Sequence, residues 1–112
     1  MKTKRQKIFE GSSFSQRVKD IMKTIPRGKV VTYGEIAAFA GNPQAARQVA
    51  WILSSSSRKH KLPWHRVVNR KGQISLKPKY GYEIQKGMLL KEGVKFDKND
   101  TIDFDRYLWS PF

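Results

Sequence analysis

The 112-residue sequence predicts a mainly α-helical fold, a winged-helix-like helix-turn-helix bundle with a small β-hairpin or strand element. Three observations predict it. Two helical segments, over 33–40 and from about 43 to 54, are separated by the turn residues Gly41-Asn42-Pro43. An amphipathic segment precedes them, with Phe14, Val18, Ile21, Met22 and Ile25 on one helical face. The strand signals are few: a brief extended piece at Lys29-Val30-Val31, and a hairpin-like pair, Val67–Asn69 and Gln73–Leu76.

In chain order, residues 1–11 read as a basic leader. Ser12-Ser13-Phe14-Ser15 supplies capping residues for the first helix, which is expected to run to about Ile25, where Pro26 stops it and Arg27-Gly28 turns the chain. Lys29-Val30-Val31 is extended. Thr32 is placed to cap the helix from Tyr33 to Ala40, with Glu35 three residues on completing a capping box. The third helix is expected to open with Pro43 near its first position and to bury Val49, Ile52 and Leu53. Its alanines, Ala45, Ala46 and Ala50, make it slim, suited either to tight packing in a bundle or to close approach to another backbone. The run from Ser54 to Lys61 reads as a polar, basic loop. Val67–Asn69 and Gln73–Leu76 flank Arg70-Lys71-Gly72 as a hairpin-like turn. A last helix, about Glu83 to Glu92, is expected to bury Ile84, Met88 and Leu89. The acidic, aromatic tail over 98–112 is expected to dock on the rest, so that 1–112 form one domain.

Composition narrows the function. The formal net charge is +14, and no acidic residue occurs between Ile36 and Tyr82, where Arg47, Arg58, Lys59, Lys61, Arg66, Arg70, Lys71, Lys77 and Lys79 all fall. A field of one sign over mid-chain attracts a polyanion, nucleic acid being the common one. There are no cysteines, which excludes disulfides, thiolate metal sites and a cysteine nucleophile. Two histidines, His60 and His65, do not suggest a metal site, and no cofactor is expected. No run is long enough to span a membrane, so a monomeric intracellular, cytoplasmic protein associated with DNA is expected.

The most unusual segment is Pro63-Trp64-His65-Arg66-Val67-Val68, in which a proline fixes the backbone before an indole and two polar side chains. With it belong Ile25-Pro26-x-Gly28-x-Val30-x-Thr32-Tyr33-Gly34-x-Ile36-Ala37, Gly41-Asn42-Pro43-x-Ala45-Ala46-Arg47-x-Val49 and Leu89-Leu90-x-Glu92-Gly93. Together these resemble the C-terminal domain of the O6-alkylguanine-DNA alkyltransferases over about residues 25–94. The family's reactive cysteine lies between the proline and the histidine, where this sequence has Trp64. That replacement resembles the alkyltransferase-like branch, which carries Pro-Trp-His-Arg and no appended N-terminal domain. Ser56 departs from the transferases' usual asparagine.

The resemblance implies a non-enzymatic damage sensor. The third helix would enter the minor groove of duplex DNA containing O6-alkylguanine, with Pro43, Ala45, Ala46 and Ala50 allowing close approach and Lys71 adding a contact. Arg47 would be the finger filling the base stack, and Tyr33 would help turn the nucleotide out. The flipped base would enter a pocket formed by Tyr33, Pro63, Trp64, Val67, Lys77 and Tyr80. His65 and Glu92 match the relay that activates the missing thiolate, and here would only brace the turn. An indole offers no lone pair suited to nucleophilic attack. The resemblance further implies handover of the lesion to nucleotide excision repair proteins. The other readings are a helix-turn-helix regulator, or an enzyme retaining alkyltransferase or glycosylase activity.

Overall fold

The structure, a computed structural model, describes residues 13–111; the basic leader, the expected capping residue Ser12 and Phe112 lie outside the described residues. Its elements in order are α1 (Phe14–Met22), β1 (Val31–Thr32), α2 (Tyr33–Phe39), α3 (Ala46–His60), a 3-10 turn (Trp64–Arg66), β2 (Val67–Val68), α4 (Tyr82–Lys91) and α5 (Phe104–Tyr107).

Local signals account for most helix starts. Ser13 caps α1, its hydroxyl accepting from the Gln16 amide at 3.0 Å. Helix α1 ends at Met22 rather than Ile25, because the residue before a proline disfavours helical geometry. The turn that follows still delivers Ile25 to the core, 2% exposed. Thr32 and Glu35 form the capping box at α2: Thr32 Oγ1 accepts from Glu35 N at 3.1 Å, while Glu35 Oε1 accepts from Thr32 N at 3.1 Å. Gly41 leaves α2 at φ +99°, a left-handed conformation that glycine adopts without steric cost.

Two expectations fail around α3. The helix begins at Ala46, not Pro43, because Asn42 makes a turn of its own: its side chain accepts from Gln44 N at 3.2 Å and its carbonyl from Ala45 N at 3.1 Å. At the other end α3 continues through the whole serine run to His60, so the expected loop is four helical turns' end. Burial of Leu53, Ser57 and Leu62 overrides the low helix propensity of serine. Arg58, Lys59 and His60 in the last turn oppose the negative end of the helix dipole, and Lys61 closes it with φ 53°.

The sheet is a parallel pair, not a hairpin. Val31 pairs with Val67 and Thr32 with Val68. Alternation then sorts the valines. Val31 and Val67 face a core built by α1, α2 and α3, whereas Val30 and Val68 face a second core with Leu89, Val94, Ile102 and Tyr107. Burial on both faces is why these runs are continuously apolar. The turn after Val68 does form, with Asn69 N donating to Gln73 O at 3.0 Å. Residues 73–76 nonetheless make no strand, and Gly72 O accepts instead from Ile102 N at 2.9 Å. The tail reaches the second core through Tyr107; Trp109 N donates to Val30 O at 2.8 Å, and the Trp109 ring meets Phe39 edge-on at 6.2 Å.

Helix α4 turns a different face inward than its apolar pattern suggests. Leu89 is buried and Met88 half-buried, but Ile84 is 64% exposed and Gln85 takes its place at 2%.

Candidate nucleic-acid interface

The 3-10 turn is held by two buried polar devices. The first is Glu92, at the end of α4. One carboxylate oxygen accepts from Gly28 N at 2.9 Å and Arg66 Nε at 3.0 Å; the other accepts from Arg66 Nη2 at 2.8 Å and His65 Nε2 at 2.6 Å. Arg66 also donates through Nη1 to Ile25 O at 2.7 Å. Gly28 is required here: it sits at φ +83°, and a Cβ would lie 3.2 Å from the Glu92 carbonyl oxygen. Burial by itself would raise the Glu92 pKa, but the hydrogen bonds from Arg66, Gly28 and His65 outweigh it and hold the carboxyl at about 2. An ionised Glu92 accepts, so His65 Nε2 carries the proton and donates.

The second device is Gln85, whose Nε2 donates to His65 O at 3.1 Å and Val67 O at 2.9 Å. With both of its N–H donors paired, the amide nitrogen is buried without an unsatisfied donor. Nothing in the sequence marked it, since glutamine is ordinarily a surface residue. Gln85→Leu should therefore lower stability by about 2 kcal/mol by orphaning two buried carbonyls. Chemical denaturation of the variant checks this; an unchanged midpoint would remove the brace from the account.

Beside the braced turn lies a cleft of about 720 Å³, within the usual range for small-molecule sites. Tyr33, Pro63, Trp64 and His65 line it, as do Ala50, Ser54, Ser57 and Arg58 from α3 and Leu76, Gln85 and Met88. The Trp64 ring meets His65 edge-on at 6.3 Å. Burial pushes the Tyr33 hydroxyl pKa up, against a hydrogen bond with Ser75.

Of the pocket residues expected from the sequence, Tyr33, Pro63 and Trp64 come together. Val67 does not: it is 0% exposed, its side chain in the core beneath the turn. Lys77 and Tyr80 are exposed on the following loop and do not line the cleft; Leu76 does, 38% exposed. The α3 residues Ser54, Ser57 and Arg58 were missed because their segment read as a loop. Continuing the helical register from Arg47 and Ala50 would have found them.

A shallow depression adjoins the N-terminal end of α3, lined by Asn42, Gln44, Ala45, Arg47, Gln48 and Trp51. Arg47 and Pro43 are exposed and Ala46 half-buried, while Ala45 is only 8% exposed and belongs mainly to the core. Lys71 stands exposed in the 69–72 turn, away from both depressions.

A helix pair with an exposed basic helix, set beside a cleft, defines the class: a helix-turn-helix DNA-binding domain. More narrowly, the chain belongs to the family described as the 6-O-methylguanine DNA methyltransferase DNA binding domain, whose model matches residues 13–94. It is 46% identical over 105 residues to the DNA base-flipping protein of Escherichia coli, covering 94% of this chain and 81% of that one. Alkyltransferase-like protein 1 of Schizosaccharomyces pombe is 38% identical over 103 residues, 88% of this chain and 95% of the relative. The crystal structure of S. pombe Atl1 with damaged DNA containing O6-carboxymethylguanine superimposes with a TM-score of 0.78 at 34% identity, covering 99% of this chain and 100% of that one. Methylated-DNA–protein-cysteine methyltransferases are also similar. The Rattus norvegicus protein is 33% identical over 88 residues, and the match spans only 42% of its length. The family thus holds proteins named for base flipping as well as enzymes.

Proposed function

We propose that this protein is a non-enzymatic sensor of O6-alkylguanine in duplex DNA. Helix α3 enters the minor groove, Arg47 fills the gap left in the base stack, and the alkylated base rotates into the cleft against Trp64. Unstacking costs a few kcal/mol, which the inserted arginine and the aromatic contact offset. Trp64 stands at the position of the family's nucleophile, and a chain without cysteine has no thiolate to accept an alkyl group. His65 and Glu92 then serve the frame: the Glu92 carboxylate already accepts from four donor groups of His65, Arg66 and Gly28. The observation that supports this reading best is the juxtaposition of Tyr33, Trp64 and the α3 face around one cleft. Handover of the marked lesion to nucleotide excision repair is part of the proposal by family resemblance.

The test compares duplexes with and without a single O6-methylguanine by titration, with the protein's mass measured after prolonged incubation. Tighter binding to the lesion duplex with an unchanged protein mass is expected. Equal affinity for both duplexes would sink the sensor reading, and a mass gain of one methyl group would overturn the non-enzymatic one.

A further inference from the structure

The α3 residue Trp51 has no part in the mechanism above, yet it is 69% exposed, the most exposed tryptophan position of the three. A single exposed apolar side chain needs no explanation by itself. This one is distinguished by where it stands. Arg47, Trp51, Ser54 and Arg58 follow at spacings of four, three and four, so they form one stripe along the helix. All four are exposed. The stripe runs from the depression that holds Arg47 and Trp51 to the cleft that holds Ser54 and Arg58. None of the ring or cation–π contacts among the described residues involves Trp51. The helix carries no acidic residue, and an arginine lies one turn before the indole and another two turns after it. An apolar plate between two cations suits a surface whose charged phosphates flank an apolar groove.

We propose that Trp51 is a second inserted side chain, entering the minor groove with Arg47 and laying its indole against the deoxyribose walls and base edges beside the vacated position. The inference rests on the minor-groove reading given above. Trp51 lies about 6 Å along the helix axis from Arg47, four residues at about 1.5 Å each. That is close to two base steps at 3.4 Å. Minor-groove proteins commonly use apolar wedges of this kind to open and bend the duplex. Because the contact is with the framework of the DNA, it strengthens binding to damaged and undamaged duplex alike.

The experiment titrates the parent, Trp51→Ala, Trp51→Phe and Arg47→Ala proteins against both duplexes. Trp51→Ala is expected to weaken binding to each by a similar factor, roughly tenfold for the loss of one aromatic–DNA contact, leaving the lesion preference intact. Trp51→Phe should recover most of the loss. The parent-minus-Trp51→Phe difference fluorescence should become shielded from acrylamide when DNA is added. Trp51 is exposed, so thermal melts of the variants should match the parent. If Trp51→Ala binds both duplexes as the parent does while Arg47→Ala fails, this inference falls and the sensor reading stands. A loss confined to the lesion duplex would place Trp51 in the pocket and equally overturn the inference. If neither variant changes binding, the assignment of α3 to the groove falls with it.

Discussion

Arg47→Ala is expected to lose about 2–3 kcal/mol of affinity for lesion duplex, roughly 30- to 150-fold, with no change in thermal stability. The side chain is exposed at the start of α3, on the rim of a shallow depression, so removing it disturbs no packing. Its whole effect should therefore appear in binding. An extrahelical base leaves a hole in the stack and an unpaired partner base. A guanidinium can fill the first with its plane and bond the second with its fork of donors. Arg47→Lys keeps the charge but loses the plane, and should fall between parent and Arg47→Ala. The salt dependence separates charge from insertion: a phosphate contact contributes about 0.9 to the log–log slope, so Arg47→Lys should leave the slope unchanged while lowering affinity. Lesion affinity of Arg47→Ala equal to that of the parent would show that another side chain fills the stack.

Glu92→Gln is expected to destabilise the fold by about 3 kcal/mol at neutral pH, because it leaves the part-buried Arg66 without its counter-charge. For a domain of this size that corresponds to a fall in Tm of roughly 12–20 °C. The carboxylate is 5% exposed, so solvent does little to screen the interaction. The pH dependence gives an independent check. The Glu92 carboxyl lies at about 2, below its ordinary 4.5. A depressed folded pKa means that its stabilisation is present in full above about pH 4.5 and is lost as pH falls toward 2. The shift corresponds to roughly 3 kcal/mol. Urea midpoints at pH 7, 4 and 3 should thus converge between parent and variant as the solution is acidified. A difference that stays constant over that window would mean that Glu92 acts by packing rather than by charge. Lesion binding by the folded fraction of Glu92→Gln should change less than binding by Arg47→Ala, since Glu92 braces the turn from behind.

Much of the helix-turn-helix was legible because its signals are local. Ser13, the Thr32–Glu35 box and Gly41 each act within four residues, through one or two hydrogen bonds or one φ angle that no distant contact has to supply. The serine run of α3 was misread for the converse reason. Serine competes with the backbone in isolation, and only burial of Leu53 and Ser57 against the rest of the chain makes the helix continue. Gln85 and Ile84 were exchanged for a similar reason: hydrophobicity ranks isoleucine first, but the carbonyls of His65 and Val67 needed a buried donor. The pocket was partly legible. Tyr33, Pro63 and Trp64 lie in motifs that carry their own geometry, whereas Val67, Lys77 and Tyr80 were carried over by family resemblance and do not line the cleft.

By itself, the sequence determined the order of the first four helices, the one-signed charge of the central region, the family pattern and the absence of any cysteine. These depend on residue identity and short spacing alone. Only the tertiary structure decided that β1 and β2 pair in parallel between two cores, that Glu92 and Gln85 both brace the Trp64 turn, and that Trp51 is left exposed between Arg47 and Arg58. Each of those depends on segments far apart in sequence, whose meeting is set by burial and hydrogen-bond satisfaction across the whole fold.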